Sequence, residues 1–134
     1  STYSGTKAGN LANCYAGLSY LKLKKYDKAI EFLSKFSSSD ELLGPTAIGA
    51  VGDAFADINQ QSDALKYYED AANKTTNDYT TPLFLFKAGI TAMDLKDYNK
   101  ALTLFKKIKS DYPASFQGGK IDQYISSAEF AAKN

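Results

Sequence analysis

Three glycines and three alanines recur along this 134-residue chain at the same two intervals. Gly17, Gly52 and Gly89 lie 35 and 37 residues apart, and Ala29, Ala64 and Ala101 repeat those intervals. The glycine-to-alanine distance is therefore 12 in every copy, and the variable residues fall in the connections between copies. Around the glycine the copies read Ala16-Gly17-x-x-Tyr20, Val51-Gly52-x-x-Phe55 and Ala88-Gly89-x-x-Ala92. Around the alanine they read Ala29-x-x-x-Leu33, Ala64-x-x-x-Tyr68 and Ala101-x-x-x-Phe105. A period of this length builds an array of like units. No unit buries its own apolar face, so about three must stack before the array is stable.

The units are helical. Leu11, Cys14, Tyr15, Leu18 and Leu21 follow the i, i+3, i+4, i+7 pattern of an amphipathic helix, and similar stripes recur to the end of the chain. Period-2 alternation is scarce, which argues against a sheet. Punctuation divides the stripes into seven predicted helices, at about 7–23, 27–37, 45–58, 62–73, 81–95, 98–110 and 115–132. Lys24–Asp27, Asn59–Asp63 and Lys96–Asp97 read as tight turns between antiparallel helices. Thr81-Pro82 reads as an N-cap followed by proline in the first turn. Gly118-Gly119 weakens the start of the last helix.

The pattern resembles the tetratricopeptide repeat, W-x₂-L-G-x₂-Y, then A-x₃-F, then P. The resemblance covers about 8–113. Asn13, Ile48 and Leu85 stand where the family often has Trp, and only the third unit ends in proline, Pro113. It implies an all-α, right-handed α-solenoid in a single domain over 1–134. Three helix-turn-helix units, about 8–37, 45–73 and 82–113, are followed by a capping helix at about 115–132. Gly17, Gly52 and Gly89 are the expected close approaches within units, facing Ala29, Ala64 and Ala101. Tyr20, Phe55, Leu33, Tyr68 and Phe105 are expected to fill the space between helices and between units, and Tyr26 and Tyr98 to brace the turns. On the cap, Ile121, Tyr124, Ile125 and Ala128 are expected to face inward, with Lys120, Asp122, Lys133 and Asn134 in water. Ser1–Thr6 reads as the tail of a loop, and the apolar first helix lacks a cap. The chain is therefore expected to be a fragment with helices upstream.

Composition removes most chemistries. All 16 basic residues are Lys; there is no His or Trp, and one Cys and one Met. Without His no Ser or Cys nucleophile has its usual base, and one thiol cannot build a Cys/His zinc site. No catalytic residue, metal or cofactor is expected, and the chain is read as no enzyme. A formal charge of +1 gives no reason to expect nucleic acid. No apolar run reaches the ~18–20 residues that span a bilayer. Cys14 reads as a small buried residue, and Lys106, Lys107 and Lys109 as a solvated face. Asp53 and Asp57 share a helix face one turn apart, with Asp94 at a matching place one unit on. They are candidates for a basic peptide or a cation, or else for pairing with a lysine on the next helix. Tyr79 and Tyr112 are candidate contact residues.

The resemblance also implies a concave groove, lined by the first helix of each unit, that binds a peptide or protein segment. By register its residues are Leu11, Cys14, Leu18 and Leu21; Thr46, Gly49, Asp53 and Ala56; and Leu83, Phe86, Ile90 and Met93. Gly49 is expected to leave room there, and packing against other helices is the competing reading. The family's carboxylate clamp is not expected: Cys14, Leu18, Ala50 and Leu83 occupy four of its five places, and only Lys87 matches in charge. The segments 5–12, Thr80-Thr-Pro-Leu83 and Tyr112-Pro113…Ile121-Asp-x-Tyr-Ile125 are similar to bacterial membrane-anchored envelope proteins like the ancillary subunit of the Sec translocon. That likeness implies a periplasmic-side location behind an absent anchor, with no direct membrane contact by this piece; the cytoplasm is the alternative. The expected function is a non-catalytic protein-interaction scaffold. The alternative is a homo-oligomerisation module docking through its apolar first helix.

Overall fold

The computed structural model describes residues 6–134, so Ser1–Gly5, read above partly as loop and partly within the envelope-like segment, lie outside the described residues. The described chain is all-helical: α1 (Lys7–Lys22), α2 (Tyr26–Ser34), α3 (Leu43–Asp57), α4 (Gln61–Lys74), α5 (Thr80–Asp94), α6 (Tyr98–Asp111), a 3₁₀ turn (Gly118–Lys120) and α7 (Ile121–Lys133). Consecutive helices pack on one another throughout, giving three hairpins, α1–α2, α3–α4 and α5–α6, with α7 closing the last. First helices also touch each other, α1 with α3 and α3 with α5, more than second helices do. The stack therefore curves with α1, α3 and α5 on its inner side.

Why the glycines recur is visible in each hairpin. A Cβ on Gly17 would meet Leu33 Cγ at 2.5 Å, and one on Gly52 would meet the Tyr68 ring at 2.8 Å. On Gly89 it would strike the Phe105 ring. Each glycine thus faces the large side chain 16 residues on, which presses on the bare backbone of the opposite helix. Ala29, Ala64 and Ala101 are fully buried. Tyr20 stacks on Phe32 and Phe55 on Tyr67, both at 5.4 Å and both 12 residues apart. Between units, Tyr68 stacks on Phe84 at 6.4 Å. Phe86, Phe105 and Tyr124 form a cluster that joins the third hairpin to α7.

The turns inside the hairpins share one geometry. Lys24, Asn59 and Lys96 have φ of 60, 61 and 62°, at the same 35 and 37 spacing. In each turn the next amide reaches back five residues: Lys25 N–H to Tyr20 O, Gln60 N–H to Phe55 O, Asp97 N–H to Ala92 O. This is a Schellman ending, and it satisfies carbonyls that the first helix leaves open.

Boundaries that differ from the sequence expectation include three with a visible cause, a tertiary contact at α2 and local side-chain hydrogen bonds at α5 and α7. α2 stops at Ser34 rather than near 37: Phe36 turns into the core, and Asn10 on α1 binds both the amide and the carbonyl of Ser37. At α5, the capping side chain is Asn77, not Thr81. The Asn77 carboxamide oxygen accepts from the amides of Tyr79 and Thr80 at 2.8 and 2.7 Å, while buried Thr81 donates to Thr75 O. Finally, α7 begins at Ile121 rather than 115. Ser115 Oγ donates to Tyr112 O and accepts from Gly118 N–H, holding 115–117 in a turn. On α7, Ile121, Ile125 and Ala128 are buried and Tyr124 half-buried. Lys120 is half-buried rather than in water, its ammonium 4.8 and 4.6 Å from the rings of Phe86 and Phe116.

Candidate functional site

The inner face is a row of half-buried apolar side chains. Leu11, Leu18 and Leu21 on α1 pack on a core of Cys14, Ala29, Leu33, Phe36, Ala47, Ala50 and Val51. Ala56 on α3 and Leu83, Phe86, Ile90 and Met93 on α5 pack on the larger core formed by the second and third units and the cap. Thr46 is exposed, and its hydroxyl donates to Leu42 O at 2.6 Å.

Two residues assigned to the groove are not in it. Cys14 is wholly buried, and burial raises its thiol pKa, so it is an apolar packing residue with little thiolate. Gly49 is buried as well, and the space left by its missing side chain is occupied by the Phe84 ring. The room expected there accommodates the next unit.

At the centre of the face, Asp53 Oδ1 accepts from Tyr68 Oη at 2.6 Å and from Lys87 Nζ at 2.9 Å. The Lys87 ammonium also lies 5.8 and 5.9 Å from the rings of Tyr68 and Phe84. Three helices of two units meet in this contact. Burial, the hydrogen bond to Asp53, and then the charges of Asp53 and Asp57 raise the Tyr68 hydroxyl far above its ordinary value, so it remains a donor. Lys87, the one cation in a clamp position, is thus already paired. Asp57 sits beside Tyr26: burial and then Asp57 raise that hydroxyl. Asp94 takes part in no ion pair among the described residues. Lys106, Lys107 and Lys109 are exposed, and Lys109 pairs with Asp122 of α7 at 2.9 Å.

Sequence reasoning had placed Asp53 and Lys87 on the inner face without joining them, and it missed Tyr68 as their third partner. The signal was present in the register: Tyr68 faces Gly52, the neighbour of Asp53. Tyr79 is exposed and Tyr112 half-buried, and both line a cleft of about 570 Å³ that borders the inner face at Leu83. Among the described residues no helix is long and apolar enough to cross a membrane, and no group of three or more Cys, Asp or Glu is placed to hold a metal ion.

An α-solenoid of stacked hairpins with an open inner face is an interaction scaffold. The chain carries tetratricopeptide repeats: the family model described as a tetratricopeptide repeat matches residues 15–39 and 84–115, in the first and third hairpins. The hairpin between the two matches repeats their packing, Gly52 against Tyr68 as Gly17 against Leu33 and Gly89 against Phe105. No curated protein matches the chain significantly.

Proposed function

We propose that the domain holds a segment of a partner protein along the inner face of α1, α3 and α5. The observation that carries this reading is the row of half-buried apolar side chains, Leu11, Leu18 and Leu21, then Ala56, then Ile90 and Met93, in register across three first helices. The Asp53–Lys87 pair at its centre leaves neither charge free, so the segment that fits is apolar rather than acidic. The rigid stack presents this surface preformed, so the ordering entropy falls on the partner. A photo-crosslinker placed at Leu18 or Ile90 in the native host tests it. Adducts are expected there and not from the outward positions Asp70 and Thr103. Equal labelling from both sets would sink the reading. Placement in a bacterial cell-envelope complex is supported by the segments named above, and cell fractionation of the full-length protein tests it.

A second reading is self-association through α1. Its outer face carries Ala8, Ala12, Tyr15 and Ser19, all exposed and none charged, with Tyr15 at 62%. Light scattering after size exclusion separates the two. A dimer that Tyr15→Glu dissociates favours this reading, and a monomer at high concentration removes it.

A further inference from the structure

The loops between units build a second surface along one edge of the solenoid. Leu42 immediately precedes α3, Tyr79 immediately precedes α5, and Phe116 stands just before the 3₁₀ turn leading to α7. They are spaced by 37 residues and again by 37, so they occupy the same register in successive steps of the stack. All three are exposed, at 51, 76 and 79%. A cleft of about 420 Å³ lies between Leu42 and Tyr79, and the cleft of about 570 Å³ lies between Tyr79 and Phe116. The two share Asp78 and Tyr79 and so flank the same loop.

The charged residues lining the two clefts are all acidic, and one cation, the Lys120 ammonium, lies 4.6 Å from the Phe116 ring at the end of the row. Glu41, Asp78 and Asp111 line the clefts, and none of the chain's 16 lysines does. Among the described residues none of these three carboxylates is in an ion pair. The loops are also held in place. Asn77 Nδ2 and Thr75 Oγ1 both donate to Glu41 O at 2.9 Å, tying the first inter-unit loop to the second. Gly118 fits under the carbonyls of Tyr112 and Pro113, where a Cβ has no room.

We propose that this edge, which adjoins the inner face only at Leu83, is a second docking site for an extended segment of a partner protein that carries large apolar side chains with lysine or arginine between them. Three exposed apolar anchors in one row take apolar side chains, and the carboxylates between them, in no ion pair among the described residues, are best met by the charge-assisted hydrogen bonds of lysine or arginine. α3 and α5, the first helices in contact behind Leu42 and Tyr79, are about 8–10 Å apart. That matches one turn of a polyproline II segment, three residues at a rise of about 3.1 Å, so the partner's anchors recur at every third residue. A second copy of this chain is a poor occupant, because a two-fold contact would set the acidic edge against itself.

The probe is a synthetic peptide of three Lys-Pro-Phe units, with a peptide of three Glu-Pro-Phe units as its control. Both are titrated into ¹⁵N-labelled protein and followed by amide chemical shifts. Saturable shifts are expected at 41–42, 77–79 and 111–117, with the glutamate peptide weaker by at least about tenfold. Tyr79→Ala and Phe116→Ala should each weaken binding by about fivefold or more, whereas Leu18→Asp on the inner face should leave it unchanged. Four results would overturn the proposal: no saturable shift at the edge, shifts confined to the inner face, equal binding of the two peptides, or full affinity in a natively folded Tyr79→Ala/Phe116→Ala double variant. So would concentration-dependent shifts at the edge without peptide, which would make a second copy the occupant.

Discussion

Gly52→Ala adds one methyl group where α3 crosses α4, and the structure predicts that the domain loses stability even though alanine is the better helix former. The new Cβ would lie 2.8 Å from both Cδ1 and Cε1 of Tyr68. Ordinary carbon contacts need about 3.5–4 Å, so the ring or the helix must retreat by about 1 Å. The ring is not free to slide, because its hydroxyl is anchored on Asp53 at 2.6 Å and Asp53 is in turn held by Lys87. Overpacking of this kind costs about 1–3 kcal/mol. A stretched hydrogen bond to a carboxylate adds part of its ~1.5–3 kcal/mol, and the helix-propensity gain returns about 1 kcal/mol. The expected net loss is about 1–3 kcal/mol, or a fall in Tm of about 4–12 °C for a domain of this size. Urea and thermal unfolding followed by far-UV circular dichroism measure it. Gly119→Ala is the internal control, since a Cβ there meets nothing within 4 Å; it should be neutral or slightly stabilising. Adding Tyr68→Leu to Gly52→Ala should make the double variant more stable than the two single losses sum to, by about 1 kcal/mol or more. A Gly52→Ala protein as stable as the parent would refute the close-approach argument and, with it, the reason offered for the recurring glycine.

Other predictions concern the turns, the loops and pH. Lys96→Gly relieves a non-glycine residue at φ 62° and should raise stability by up to about 1 kcal/mol, with Lys24→Gly similar; an unchanged urea midpoint in both counts against strain at these turns. Asn77→Ala removes the acceptor for two amides at the start of α5 and the tie to Glu41 O, and should cost about 1–2 kcal/mol, with faster amide exchange at 77–80 as the local readout. The Asp40 carboxylate is held below its ordinary pKa by the amides of Leu43 and Leu42. A folded pKa below the unfolded one means its contribution is present above about pH 4 and is lost as pH falls through the folded value. Asp40→Asn should therefore flatten the acid limb of the urea midpoint plotted against pH, and an unaltered acid limb would contradict the capping role.

The hairpins themselves were legible because their causes are local. A glycine and an alanine 12 residues apart announce a close helix crossing whatever surrounds them, and apolar stripes at helical spacing define which face is hidden. The inner face was legible only in outline. Register placed Asp53 on α3 and Lys87 on α5, but whether two side chains 34 residues apart meet depends on the angle between units, which no single helix encodes. The same holds for Gly49. Read alone, a glycine on an inner-facing helix looks like open space, and only the stacking of the third hairpin brings Phe84 into it. The edge surface was the least visible. Leu42, Tyr79 and Phe116 belong to loops outside the repeat motif, so their common 37-residue spacing carried no meaning until the loops were seen side by side.

From the sequence alone followed the all-helical fold, the seven helices, the repeat, and the lack of the residues for a His-activated nucleophile or a Cys/His zinc site. Each of these depends on residue type and on spacing within one unit. Tertiary structure decided where α2 ends, because Asn10 on α1 offers the backbone of Ser37 partners that helix propensity does not foresee, while local bonds from Asn77 and Ser115 set the starts at Thr80 and Ile121. It also decided which charges are free. Pairing is a matter of a few ångströms between units, so it commits Lys87 to Asp53 and leaves Glu41, Asp78 and Asp111 in no ion pair among the described residues.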